Sequence, residues 1–320
     1  MGSKMIVRPP RIAAGSRVAL VAPAGPLLEH DDLRRAQELC RALGWEPVLG
    51  RSTAMHESWF AGPDEARLAD LNWALTDPAI HAVWCIRGGY GVTRILDRVD
   101  FEGSKRQPRP VLGYSDITAL LLALYRHVGC VTFHAPVARR ELRPFSRGHL
   151  ERVVASAAAP GLLGLPDPPK GVLVPEQGRI ATLAGGRAEG PLVGGNLSLV
   201  QCLLGTAYLP SLDGALLFLE DVGEDAYRVD RMFSHLRLAG LLERLAGVII
   251  GRFTEMRARG ADGAAGLDRV LAHYLEPLRI PVAFGFPIGH LDDQWTLPIG
   301  VRARLDADAG TVELLEPAVS

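Results

Sequence analysis

The sequence predicts an α/β protein of two domains, and three observations carry that expectation. Its 320 residues exceed what one compact core usually fills and suit two. Roughly the first 140 alternate short apolar runs with amphipathic helices, the pattern of a parallel sheet with crossover helices. A proline-rich interval at 141–190 then separates this half from a second alternating unit. With 48% hydrophobic and 22% charged residues the chain is globular rather than disordered. The expected division is 1–140, an interdomain connection at 141–190, and 191–320.

In chain order, Val18–Val21 reads as a first buried strand. Asp31–Leu43 follows as a helix, because Leu33, Ala36, Cys40 and Leu43 step by three and four and Gly44 ends the run. Pro47–Leu49 is a short strand. Pro63 opens a second helix that carries Leu68, Leu71, Ala74 and Leu75 on one face. Ala82–Ile86, Val111–Tyr114 and Val131–Phe133 complete the predicted sheet, with a helix predicted over Asp116–Val128 between the last two. The interval holds Pro144, Pro160, Pro166, Pro168, Pro169 and Pro175, with one short helix expected at Leu150–Ala158. Beyond it the pattern predicts helices at Leu197–Leu204, Arg228–Leu238 and Leu267–Leu275. Strands are predicted at Ala215–Leu219, Gly247–Gly251 and near Val282. Val301–Leu305 and Thr311–Leu315 flank Asp306-Ala307-Asp308-Ala309-Gly310, a hairpin signal.

Composition excludes some partners. The formal net charge is -1 and no basic stripe stands out, so nucleic acid and anionic membrane are not expected. Cys40, Cys85, Cys130 and Cys202 have neither CxxC nor metal spacing, which suits a reducing compartment and no metal. Ile12–Pro26 is apolar and follows Lys4, Arg8 and Arg11 in the manner of a leader, but Arg17 interrupts it. No stretch reaches the ~18 uncharged apolar residues of a membrane span. A soluble, cytoplasmic protein is expected.

The most informative segment is Val111-Leu112-Gly113-Tyr114-Ser115-Asp116. A buried strand runs into a turn with a serine at its apex, and a helix opens behind it. Such a turn exposes the hydroxyl and offers helix N-terminal N–H groups to an oxyanion. The G-x-S-x-G form is not met, since Ile117 holds the last position. The competing reading is that Ser115 or Asp116 simply caps the helix. Arg87-Gly88-Gly89-Tyr90-Gly91 ends another strand, and its glycines allow close backbone approach to a ligand. Neither a dinucleotide fingerprint nor a phosphate-binding Walker loop is present, so Gly88 or Gly89 is a candidate oxyanion donor; a plain tight turn is the alternative.

A serine nucleophile needs a base. Of nine histidines, His290 ends Gly285-Phe286-Pro287-Ile288-Gly289-His290, a tight loop suited to presenting an imidazole. His134 and His235 read as polar groups near a cleft. Glu220 follows the apolar run Leu216–Leu219, where a carboxylate is unfavourable without a partner. Aimed at an imidazole it would hold the tautomer; otherwise it and Asp221 simply face water.

Gly113-Tyr114-Ser115-Asp116, Arg87-Gly88-Gly89-Tyr90-Gly91, Leu192-Val193-Gly194-Gly195-Asn196-Leu197, Leu219-Glu220-Asp221 and Gly285–His290 together closely resemble the LD-carboxypeptidases, serine peptidases that include the murein tetrapeptide carboxypeptidases. The resemblance spans about Val18 to about Leu315. It implies a flavodoxin-like N-terminal lobe and a swivelling, barrel-like C-terminal α/β lobe with the active site between them. It also implies Ser115 as nucleophile, Glu220 and His290 as its partners, and backbone N–H groups of Asp116 and Gly89 as oxyanion donors. No cofactor or metal is implied, and a homodimer is. Ala135 departs from the pattern, where glycine is expected. The implied reaction releases terminal D-alanine from a cytoplasmic cell-wall tetrapeptide. Arg87, Arg228 and Arg231 are the candidate cations for the substrate carboxylate; structural pairing with Asp221, Glu224 or Asp230 is the alternative for each.

Two other functions compete. The microcin C immunity-type peptidases resemble the same architecture but cleave aminoacyl-nucleotide amides, which calls for an aromatic to stack on the base. Gly161–Gly190 holds no Trp, Tyr or Phe, which favours the cell-wall peptide. A non-catalytic binding protein is the third reading, and it leaves the three site residues unexplained.

Overall fold

The computed structural model describes residues 6–29, 31–139, 141–167, 179–256 and 263–320. The first half is built of β1 (Arg17–Val21), α1 (Asp32–Ala42), β2 (Glu46–Leu49), α2 (Asp64–Thr76), β3 (Ala82–Cys85), α3 (Phe101–Arg106), β4 (Val111–Gly113), α4 (Thr118–Val128), β5 (Thr132–His134) and α5 (Pro144–Val154). The second contains β6 (Gly161–Leu162), β7 (Ala181–Ala184), β8 (Arg187–Asn196), α6 (Leu197–Cys202), β9 (Leu216–Val222), α7 (Ala226–Leu238), β10 (Gly247–Thr254), α8 (Gly263–Leu275), β11 (Val282–Phe284), β12 (Leu297–Ile299), β13 (Arg302–Asp306) and β14 (Thr311–Leu314).

The first sheet runs β12-β5-β4-β3-β1-β2. Its five strands from the first half are parallel, as their unbroken apolar character predicts. β3 is buried along its whole length. The sixth strand comes from the far end of the chain: β12 pairs antiparallel with β5, setting Leu297 opposite His134. The sheet is therefore largely, not wholly, parallel. The second sheet is mixed, in the order β6-β14-β13-β8-β9-β10-β11-β7, with β13 and β14 as the expected hairpin.

The 141–190 interval contributes structure as well as connection. It supplies α5, β6, β7 and the first residues of β8; 168–178 lie outside the described residues. The helix expected at Leu150–Ala158 sits earlier, because Pro144 occupies its first turn, where a missing N–H and a fixed φ cost nothing. The helix expected over Asp116–Val128 begins with a 3-10 turn at Ser115–Ile117 before α4 takes over.

α4 joins the two halves. Thr118 to Leu124 are all buried, so the helix is covered on every side. The end of β8 supplies one cover. Asn196 N–H donates to Thr118 Oγ1 at 3.1 Å, fastening the second sheet to the first turn of α4. Gly195 makes that approach possible, since a Cβ there would stand 2.6 Å from Thr118 Oγ1, and Gly194 lets β8 lie against β9. The φ of Gly194 is 151°, and a Cβ there would stand 1.8 Å from the Phe218 carbonyl oxygen on β9. We expect Gly194→Ala to lose at least about 2 kcal/mol of stability through overpacking, read as a lower urea midpoint at unchanged m. An unchanged midpoint would mean that β8 and β9 separate without cost.

Candidate active site

Ser115 stands where β4 ends, three residues before α4, and it is half-buried. Its φ is 63°, a left-handed conformation that a non-glycine residue holds only against a steric cost. A residue serving merely as a cap needs no such backbone. Gly88 lies directly against it: a Cβ on Gly88 would sit 2.8 Å from Ser115 Cβ and 3.0 Å from Oγ. Only bare backbone fits beside this hydroxyl.

The glycine loop is pinned in that place from two sides. Asp116 is buried, and its Oδ2 accepts from Val92 N–H at 2.8 Å. Burial pushes the Asp116 carboxyl up to about 6, against the pull of the Val92 amide and Arg67. On the other side Gly25 N–H donates to the Gly88 carbonyl at 3.0 Å. With a trans peptide, the Gly89 N–H then points away from Gly25. The Asp116 N–H opens the helical turn, where backbone donors lack intrahelical acceptors.

Glu220 and Asp221 lie near the end of β9 and point to opposite faces. Asp221 is used structurally: it accepts from Asn196 Nδ2 (2.9 Å), Ser198 N–H (2.9 Å), Ser198 Oγ (2.8 Å) and its neighbour Val222 N–H (2.8 Å). Glu220 is fully buried, and its Oε2 lies 2.9 Å from His290 Nδ1. Burial raises the Glu220 carboxyl above its ordinary value, and the His290 hydrogen bond works against that rise. A hydrogen bond to Nδ1 places the imidazole proton there and leaves the Nε2 lone pair available. The loop around Gly289 permits this contact, since a Cβ at that position would reach within 2.7 Å of Glu220 Oε2.

The two halves meet at aromatic rings. Tyr114, beside the candidate nucleophile, has its ring centroid 4.8 Å from that of His290 and 5.9 Å from that of His134. Tyr114 is part of Gly113-Tyr114-Ser115-Asp116, but nothing in the sequence separates it from an ordinary strand-end residue. His134 is fully buried at the end of β5, 5.4 Å from the Phe218 ring. Burial, reinforced by His290, drives its imidazole down to about 3, so it stays neutral.

The three arginines part company. Arg87 is half-buried, and its Nη1 donates to the Pro26 carbonyl beside the glycine loop. Arg228 pairs with Glu224 at 3.6 Å and bonds Tyr227 Oη at 3.2 Å. Arg228 and Arg231 both lie over the Tyr227 ring and line a cavity of about 390 Å³ with Gln201, Glu224, Met232 and His235. None of Ser115, Glu220, His290 or Gly89 lines that cavity. Among the described residues, no cluster of three or more His, Cys, Asp or Glu is arranged to hold a metal, and no helix is long and apolar enough to cross a membrane.

Comparison with known proteins finds matches to both halves of the chain. A family model for the LD-carboxypeptidase N-terminal domain matches residues 18–135, and one for the C-terminal domain matches 189–305. The chain belongs to the LD-carboxypeptidase family, a family of hydrolases. A Streptomyces coelicolor relative named as a carboxypeptidase is 38% identical over 98% of both chains. The murein tetrapeptide carboxypeptidase of Pseudomonas aeruginosa is 34% identical over 91% of this LD-carboxypeptidase and 94% of its own length. The microcin C7 self-immunity protein MccF of Escherichia coli is 25% identical over 97% of this chain and 96% of its own. A solved MccF structure in complex with glutamyl sulfamoyl guanosine covers 98% of this chain and 99% of that one, with a TM-score of 0.88 and 24% identity, a likeness of fold.

His134 makes this LD-carboxypeptidase sensitive to acid. In the unfolded chain it protonates below about 6.5, whereas the folded site resists to about 3. The unfolded state thus binds more protons in this window. The contribution is full above pH 6.5 and is lost as pH falls toward 3. We expect His134→Asn to flatten the dependence of unfolding free energy on pH between 6 and 4, by up to about 1.4 kcal/mol per pH unit. Parallel slopes for the two proteins would place the imidazole in contact with water.

Proposed function

We propose that this LD-carboxypeptidase hydrolyses the L,D amide bond of a cell-wall tetrapeptide and releases terminal D-alanine, with Ser115, Glu220 and His290 as its triad. The observation that carries this reading is the buried Glu220 paired with a part-exposed His290, whose ring lies 4.8 Å from that of Tyr114, the residue before the strained Ser115. Membership of the family and the name of the 34% identical relative support the substrate class.

On this reading His290 Nε2 takes the Ser115 proton as Oγ attacks the amide carbonyl. Glu220, itself fully buried, then faces an imidazolium and stabilises it at 2.9 Å. The oxyanion accepts from the Asp116 and Gly89 N–H groups, fixed in place before reaction, which is where such donors are most effective. His290 returns its proton to the leaving amine, and water attacks the acyl-enzyme by the same path in reverse. The chemistry needs only these side chains, two amides and water.

Two measurements test the assignment. Ser115→Gly should abolish release of D-alanine and at the same time stabilise the fold by about 1 kcal/mol, because glycine accepts a φ of 63° freely. Loss of activity without a gain in stability would mean that the turn is unstrained. Residual turnover near the wild-type rate would remove Ser115 as nucleophile. Glu220→Ala combined with His290→Ala should be little slower than His290→Ala alone, since triad members act as a unit. Multiplying losses would assign the two residues separate roles. An aminoacyl-nucleotide amide cleaved faster than the tetrapeptide would move the assignment to the immunity-type reaction.

A further inference from the structure

The end of β3 and the loop after β5 bring Arg87 and Arg139 into neighbouring segments next to the Ser115 turn. Ala138 N–H donates to the Cys85 carbonyl at 3.2 Å, which lays the chain at Arg139 alongside the chain at Arg87. Trp84 Nε1–H donates to the Pro136 carbonyl at 2.8 Å and fastens the same two segments one step earlier. Arg87 immediately precedes Gly88, the residue pressed against the Ser115 hydroxyl. Both arginines are only half-buried.

Neither cation has a carboxylate partner among the described residues. Among the described residues Arg87 donates only to a carbonyl, that of Pro26, and neither it nor Arg139 makes an ion pair. Burial first and then the charge of Arg139 hold Arg87 below its usual value, and Asp32 offsets this only in part. The contrast with other arginines is informative. Arg67, Arg94, Arg143 and Arg228 each have a carboxylate partner. Two like charges held close, one of them partly desolvated, are unfavourable unless an anion sits between them. Planar guanidinium forks match a carboxylate in shape as well as charge.

We propose that Arg87 and Arg139 are the carboxylate receptor of this site, binding a free carboxylate of the peptide substrate beside Ser115. The assignment rests on Ser115 marking the reaction centre, and it makes Arg139 a specificity-determining residue. Arg228 and Arg231 already serve Glu224 and Tyr227 and take no part. A site with a fixed cationic end discriminates against longer chains, because a substrate lacking a carboxylate at that distance leaves both charges unpaired.

Binding measured by calorimetry on the Ser115→Ala protein separates this idea from the catalytic one. The probes are a free tetrapeptide, the same peptide amidated at its C-terminus, and one amidated only at a side-chain carboxylate of the acyl part. Arg139→Gln should weaken the free tetrapeptide by roughly tenfold to a hundredfold, the range of a charge-assisted hydrogen bond. It should scarcely change the peptide that lacks the recognised carboxylate. Arg139→Lys should recover part of the loss, and Arg87→Lys should weaken binding in the same peptide-selective way. Whichever amidated peptide becomes insensitive to Arg139→Gln identifies the terminal or the acyl-side carboxylate as the ligand. Equal losses on all three peptides, no loss on any, or no measurable binding of the free tetrapeptide would overturn the proposal. Selective loss in Arg228→Gln or Arg231→Gln instead would do the same. Hydrolysis that persists in Ser115→Ala would refute the triad while leaving these binding results to decide the receptor.

Discussion

A carboxylate buried at the end of an apolar strand is the constraint around which this molecule is organised. Glu220 follows Leu216–Leu219 into the interior and retains no exposed surface. Removing such a group from water costs several kcal/mol, and it is tolerated only opposite a partner of fixed geometry. His290 is that partner, and meeting it dictates the loop from Gly285 to His290 and the bare backbone at Gly289. Asp221, one residue on, has the opposite fate. The alternation of the strand turns it toward Asn196 and Ser198, where four hydrogen bonds absorb its charge and hold the start of α6.

The second organising feature is the crowding where the two sheets meet. Ser115, Asp116 and Thr118 lie within four residues and perform different tasks. Ser115 bears the strained backbone, Asp116 holds the glycine loop through Val92, and Thr118 receives β8 through Asn196. A displacement of the second sheet would therefore be felt at the serine turn through one short helix. The exchange of β12 into the first sheet adds a further tie, since it carries the chain from His290 back to a strand beside His134. Together these contacts set Tyr114 against His290 across the boundary, which neither half could achieve alone.

Much of this was readable from one chain of letters, for a physical reason. Parallel strands buried on both faces must be continuously apolar, and amphipathic helices must repeat every three to four residues, so β1, β3, β4, α1 and α2 announced themselves. Helix starts were less legible: Pro144 drew α5 earlier than its apolar residues suggested. The serine turn was visible as strand, glycine, serine and helix, and its two readings differ only in a backbone angle that no sequence states. Glu220 stood out because an acid after four buried residues requires an explanation. His290 stood out only weakly, because a loop histidine needs none.

Sequence by itself determined the alternating elements, the family motifs and the residue types able to do acyl chemistry, since each of these depends on local spacing and side-chain character. Tertiary structure alone decided which of them share a place. It joined Glu220 to His290 across 70 positions, set Arg139 rather than Arg228 or Arg231 beside Arg87, and moved β12 into the first sheet. Those outcomes depend on how two sheets pack on α4, and packing is a property of the whole surface of each element rather than of any segment within it.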